Sequence, residues 1–151
     1  MYNKNSMDIP IPPIIFIISF VIAYILYGIY PIVRFSHFDI VSLIFIILGI
    51  SISIYSIYII LKNKTTLDPN KAPSKLIKTG IFKISRNPIY LSMIIILFGL
   101  DFYFFSIISF IDIIIFFLII NFYIIPKEEV NIGNKFGSEY IEYKKSVNRW
   151  I

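Results

Sequence analysis

The sequence contains no cysteine, so disulfides, thiolate metal sites and a cysteine nucleophile are all excluded. It has a single histidine, His37, which cannot build a histidine metal site, and no metal is expected. Charge is scarce too: 15% of residues are Asp, Glu, Lys or Arg, against about a quarter in an ordinary soluble domain. Hydrophobic residues take up the difference, at 58% of the chain. A chain with so much apolar surface and so little charge belongs in a bilayer. The net charge of +5 is modest, and its placement carries more information than its size.

Ile14 to Tyr30 is an unbroken apolar run, long enough to cross a bilayer with slight thinning. It lacks a small-residue cleavage site before Arg34 and is read as a retained span. Ile40 to Leu61 is a second span. Pro88 to Ile125 covers 38 residues. As one helix it would be about 57 Å long, nearly twice the ~30 Å hydrocarbon core. It must therefore fold back, and Gly99 to Ser106, with Asp101 supplying polarity, is the expected turn. The expected fold is all-α and polytopic: four transmembrane helices over about 14–30, 40–61, 88–103 and 106–125, in one domain spanning 1–151.

The charges agree with an even number of spans. Lys62, Lys64, Lys71, Lys75, Lys78, Lys83 and Arg86 lie between spans two and three, and Lys127, Lys135, Lys144, Lys145 and Arg149 follow the last. With four spans these share one side with Lys4, and only Arg34 faces the other. The positive-inside rule then makes both termini cytoplasmic, together with the segments 62–87 and 126–151. Ile132, Phe136, Tyr140, Tyr143, Val147 and Trp150 recur at helical spacing, which predicts one C-terminal amphipathic cytoplasmic helix. That helix either lies in the membrane interface or closes a pocket.

Two polar motifs flank the last two spans. In Arg86-Asn87-Pro88-Ile89-Tyr90 the proline begins an apolar helix, where its missing N–H is harmless. Arg86 can serve as an interfacial anchor, Asn87 as an N-cap and Tyr90 as part of an aromatic belt. Glu128-Glu129 follows the last span at the same face. Adjacent helical residues point about 100° apart, so one Glu can face a ligand while the other pairs with Lys or Arg. A carboxylate in a partly dry pocket holds a cationic ligand group. Asp112 lies inside the fourth span, with Asn121 nearer its cytoplasmic end. A carboxylate at that depth is either functional or snorkels from near the turn.

The order Leu76-x-x-x-Gly80-x-Phe82-x-x-x-Arg86-Asn87-Pro88-x-Tyr90, followed by Glu128-Glu129, Phe136-Gly137, Tyr140, Tyr143 and Arg149-Trp150, resembles the integral-membrane methyltransferases that use S-adenosylmethionine. These include isoprenylcysteine carboxyl methyltransferases and phospholipid N-methyltransferases. The resemblance implies S-adenosylmethionine as cofactor, with contacts at Ser74, Lys75, Leu76, Ile77, Phe82, Arg86, Asn87, Pro88, Ile89, Glu128 and Glu129. Tyr90 and Arg149 are the candidate catalytic residues. It implies the bilayer and a hydrophobic lipid or prenylated substrate as partners, and no nucleic acid. One departure stands out: the carboxyl methyltransferases place an arginine one turn before the Glu pair, and here that residue is Ile124. Competing expectations are a phosphatidylethanolamine-type N-methyltransferase, an NADPH-dependent sterol or polyprenol reductase, and a membrane scaffold. The Glu pair argues against the reductase, which carries a different C-terminal pattern.

Overall fold

The computed structural model describes residues 12–29, 36–104 and 110–151, and every regular element among them is helical. Helix α1 runs Pro12–Ile29 and α2 runs Ser36–Lys62. A 3-10 turn at Gly80–Lys83 precedes α3, Pro88–Phe104. Helix α4, Phe110–Ile119, passes through a π-helical turn at Ile120–Ile124 into α5, Ile125–Phe136, and α6 covers Ser138–Ser146. Two of these stretches, Asp39–Lys62 and Phe110–Phe136, are long and apolar enough to cross a membrane; Pro12–Leu26 and Pro88–Phe104 are apolar but shorter.

The apolar surface points outward, which no water-soluble helical bundle tolerates. Ile40, Leu43, Ile44, Ile47 and Leu48 on α2 are all exposed, as are Ile111, Ile114, Ile115 and Leu118 on α4. Inside, Tyr90, Leu97, Phe116, Ile120, Ile124 and Ile125 form the main core, with Phe16 and Trp150 packed against it.

Helices α2 and α3 pack antiparallel through small residues. A Cβ on Gly49 would lie 2.5 Å from Ile96 Cγ1 and 2.9 Å from the Ser92 carbonyl oxygen. One on Gly99 would lie 2.9 Å from both Ile46 Cγ1 and the Ser42 carbonyl oxygen. Ser42 Oγ donates to the Gly99 carbonyl at 2.6 Å. In an apolar solvent, hydrophobic burial gives helices no reason to associate, so close backbone approach and interhelical hydrogen bonds do the holding. Helix α2 closes with Lys64 at φ +53°, where Thr65 N–H reaches the Ile60 carbonyl and Lys64 N–H the Leu61 carbonyl. That double bond satisfies carbonyls that a helix end otherwise leaves open.

Three expectations are corrected in detail. Gly99 and Asp101, expected in the reversal between the last two spans, stay inside α3, which runs to Phe104; α4 begins at Phe110. Residues 105–109, between α3 and α4, and Lys4, Tyr30 and Arg34 lie outside the described residues. The last apolar helix does not stop at Ile125 but continues to Phe136. The single C-terminal helix is two: Gly137, at φ +52° and ψ −123°, breaks it between α5 and α6, and Val147 is extended. Nothing crowds the position a Gly137 Cβ would take, so backbone conformation alone accounts for glycine there.

Asp101 and Asp112 are both buried at the end of α3 and the start of α4. Among the described residues no other group closes a hydrogen bond on their carboxyl oxygens, and the two side chains interact with each other.

Candidate functional site

The segment between α2 and α3 is irregular but tied down. Ser74 N–H donates to Thr65 Oγ1 at 2.8 Å, Ser74 Oγ to the Lys64 carbonyl at 2.9 Å, and Lys75 Nζ to Asn63 Oδ1 at 2.9 Å. Gly80, at φ +61°, starts the 3-10 turn against α2, where a Cβ would lie 2.6 Å from Ile59 Cδ1. The turn delivers Phe82, whose carbonyl accepts the Tyr143 hydroxyl at 2.6 Å.

The chain then meets its own later residues. Arg86 N–H donates to the Asn148 carbonyl at 3.1 Å. Ser85 Oγ and Asn87 Nδ2 both donate to the Arg149 carbonyl, at 3.3 and 3.1 Å. Asn87 therefore spends its amide on this strap, with Ser85 Oγ accepting the Asn87 N–H at 3.1 Å. Val147–Ile151 thus lies along the Arg86-Asn87-Pro88 motif and reaches the π-helical turn after α4. Trp150 Nε1 donates to Asn121 Oδ1 at 3.1 Å, and Arg149 Nη1 to both Asn121 Oδ1 and the Asn121 carbonyl at 3.2 Å.

The two adjacent glutamates have opposite surroundings. Glu129 takes three cations: Arg86 at 2.8 Å, Lys144 at 3.0 Å and Arg149 at 3.1 Å. Glu128 makes no ion pair among the described residues; its partner is the Tyr90 hydroxyl, which donates to it. The helical offset between neighbours produces this division, one carboxylate turned to the cations and the next to the tyrosine. Arg86 Nη1 also donates to the Tyr140 hydroxyl at 3.2 Å. Burial, with the Glu129 charge second, pushes the Tyr140 hydroxyl up to about 12, and burial pushes Tyr143 to about 12, so both stay neutral. Arg86, with its side chain 9% exposed, keeps an Nε–H with no partner among the described residues.

A cavity of about 520 Å³ opens beside these residues, within the usual range for a small-molecule site. Lys75, Leu76, Ile77, Phe82, Arg86, Asn87, Pro88, Ile89, Tyr90, Glu128 and Glu129 all line it. Two of the residues singled out from sequence do not. Ser74 fastens the loop behind the wall, and Arg149 stands behind Glu129, held by Asn121 and the carboxylate. Ile124, where an arginine was the expectation of the resemblance, is fully buried in the core and does not line the cavity either. Asp112 is likewise absent from the wall. The wall includes residues the sequence did not single out as ligand contacts, among them Tyr140, Asn131, Ser53 and the Pro12-Pro13 start of α1. Of these, Tyr140 carried a signal, its place in the apolar stripe of the C-terminal segment.

Comparison with known proteins agrees with this arrangement. The family model described as phospholipid methyltransferase matches residues 38–139, about two thirds of the chain. The chain belongs to that family, and it is a membrane protein of methyltransferase type. A protein of Haemophilus influenzae described as "Uncharacterized protein" is 39% identical over 62 residues, which is 41% of this chain and 98% of that protein. No solved structure matches.

Proposed function

We propose that this chain transfers a methyl group from S-adenosylmethionine to a lipid-like acceptor embedded in the membrane, in the manner of the isoprenylcysteine carboxyl methyltransferases or, as the second reading, of the phosphatidylethanolamine-type N-methyltransferases. The observation that carries this is Glu128: a carboxylate on the cavity wall, with a tyrosine hydroxyl and no cation as its partner. A partly buried carboxylate left without a cation is costly unless a ligand brings one.

S-adenosylmethionine brings two cations, an ammonium and a sulfonium, and the sulfonium supplies an electrophilic methyl group. The residues present fit such a molecule. Glu128 offers an acceptor for positive charge, oriented by Tyr90. The unpartnered Arg86 Nε–H offers a donor to a carboxylate. Leu76, Ile77, Phe82, Pro88 and Ile89 give an apolar wall that excludes water. The work asked of these residues is alignment and desolvation: holding two reactants in near-attack geometry supplies roughly 7–11 kcal/mol. The acceptor's lone pair forms the new bond to carbon while the carbon–sulfur bond breaks. A carboxylate acceptor needs no base, whereas an ammonium acceptor first loses a proton.

One observation favours the amine reading. Arg149 returns to the site but spends its guanidinium on Glu129 and Asn121, and Arg86 spends Nη1 on Glu129 and Tyr140. Among the described residues, an acceptor carboxylate would find no uncommitted arginine group beyond the single Arg86 Nε–H.

The proposed topology has four spans with both termini cytoplasmic. Its support is that Pro12 of α1, Ile60 of α2, Pro88 of α3 and Glu128 of α5 all line one cavity, so these ends share a face, and that face carries the basic segments. The function is tested by incubating the purified chain and labelled S-adenosylmethionine with a prenylcysteine analogue and with phosphatidylethanolamine vesicles. Label in either acceptor supports the reading. Binding of NADPH in place of S-adenosylmethionine overturns it.

A further inference from the structure

Pro126 sits inside a continuous helix, where a proline removes one backbone donor and its ring presses on the carbonyl four residues earlier. The chain answers with the wide turn at Ile120–Ile124, where Ile125 N–H reaches back five residues to the Ile120 carbonyl. One step further along the same spacing, the donor for the Asn121 carbonyl would be residue 126, which has no N–H. Arg149 Nη1 fills that place at 3.2 Å. The Asn121 side chain secures the arrangement by accepting Arg149 and Trp150 on Oδ1, at 3.2 and 3.1 Å.

A single π-turn accommodates one extra residue, so everything after it is rotated by about 100° relative to an unbroken α-helix. The rotation decides which side chain faces the cavity. Without the extra residue, the position that Glu128 holds opposite Tyr90 passes to Lys127, and the position that meets Arg86, Lys144 and Arg149 passes from Glu129 to Glu128. The site would present a lysine where it now presents a carboxylate.

We propose that Asn121 is a positioning residue for the methyl-transfer site. Clamped by Arg149 and Trp150, it holds the wide turn open and thereby sets the rotation of α5 that gives Glu128 to the cavity and Glu129 to the cations. The assignment rests on the cavity being the cofactor site, but the rotation is measurable without cofactor.

The chain has no cysteine and one tryptophan, Trp150, so both labelling and fluorescence report single positions. Single cysteines at Ile132, on the cavity wall, and at Val130, on the exposed side, are made in wild type, Asn121→Leu and Asn121→Asp, in nanodiscs. Asn121→Asp keeps the acceptor oxygen. Expected in Asn121→Leu are a changed Trp150 emission, faster thiol labelling at 132, slower labelling at 130, and S-adenosylmethionine affinity down about tenfold. Asn121→Asp returns all four to near wild type. If Asn121→Leu does not fold, Trp150→Phe, which removes one donor to Asn121, carries the same labelling comparison. Unchanged labelling at both cysteines in a folded variant overturns the proposal. Rotated labelling in a protein whose wild type binds no S-adenosylmethionine upholds the positioning role and overturns the cofactor reading instead.

Discussion

Arg86 Nη1 and Glu129 Oε1 stand 2.8 Å apart, joining two motifs separated by 43 positions and by a hairpin of apolar helix. Both side chains are about nine-tenths buried. Removing one partner of such a pair leaves the other as an uncompensated charge, at a cost of roughly 3–5 kcal/mol. Glu129→Gln is therefore expected to lower thermal stability in detergent sharply. Glu128→Gln loses one hydrogen bond from a tyrosine and leaves no arginine unpaired, so its stability changes little. Its loss is in S-adenosylmethionine affinity, by about 1.5–3 kcal/mol, the range for a hydrogen bond to a charged group. Calorimetry and melting curves on the two variants separate the roles. Normal binding by a folded Glu128→Gln protein would remove the main anchor of the proposed site.

The α2–α3 seam gives a packing test. Gly49→Ala and Gly99→Ala each push a Cβ into a backbone carbonyl at 2.9 Å, where neither helix can give without separating. Overpacking of this kind costs about 1–3 kcal/mol. Gly28→Ala meets nothing within 4 Å and serves as the control. Equal melting temperatures for all three would mean that the helices do not approach as closely as described.

Arg149→Ala tests the part of the reading that changed most between sequence and structure. An arginine that binds an acceptor carboxylate would, when removed, abolish methylation of a prenylcysteine analogue and spare phosphatidylethanolamine. An arginine that braces Glu129 and Asn121 lowers turnover on both acceptors together. The expected result is the second, with the ratio of the two rates unchanged.

The reach of the sequence follows from the range of the interactions concerned. Apolar runs announced the helices, because a lipid-facing helix constrains every residue along it. The division of labour between Glu128 and Glu129 was legible from the 100° step between neighbours. The expected reversal began too early because Gly99 and Asp101 look like turn residues; in fact Gly99 serves close packing and Asp101 lies buried in the helix. The single C-terminal helix failed at Gly137, since a period-four stripe survives a break when both pieces pack on the same surface. Arg149 and Ser74 were assigned to the pocket by motif position alone. Their side-chain directions depend on Asn121 and Thr65, contacts that spacing in a linear sequence does not encode.

Topology is tested by labelling from the two sides of a sealed vesicle. Cysteines at Asn70 and Ser138 sit in the two basic segments, and both are expected to react only from the side that carries the termini. Reaction from opposite sides would separate the two motifs by a bilayer and end the shared-site reading.

Asp101→Asn is expected to raise the melting temperature. The substitution gives the buried pair fixed amide hydrogens where, among the described residues, the two carboxyls have only each other, and under-partnered polar groups in apolar surroundings are costly. A fall in melting temperature would mean that the Asp101 carboxylate holds a partner beyond the described residues.

The strap of residues 147–151 also sets an order of assembly during synthesis. Ser85 is synthesised 64 positions ahead of Arg149, whose carbonyl it binds, and the apolar helices α3 and α4 lie between them in the chain. Until Lys144 and Arg149 arrive, Glu129 has Arg86 alone as a counterion, and the Asn121 carbonyl waits without its donor. The growing chain thus holds α3, α4 and α5 before it holds all the residues that complete the Glu129 cluster and the strap.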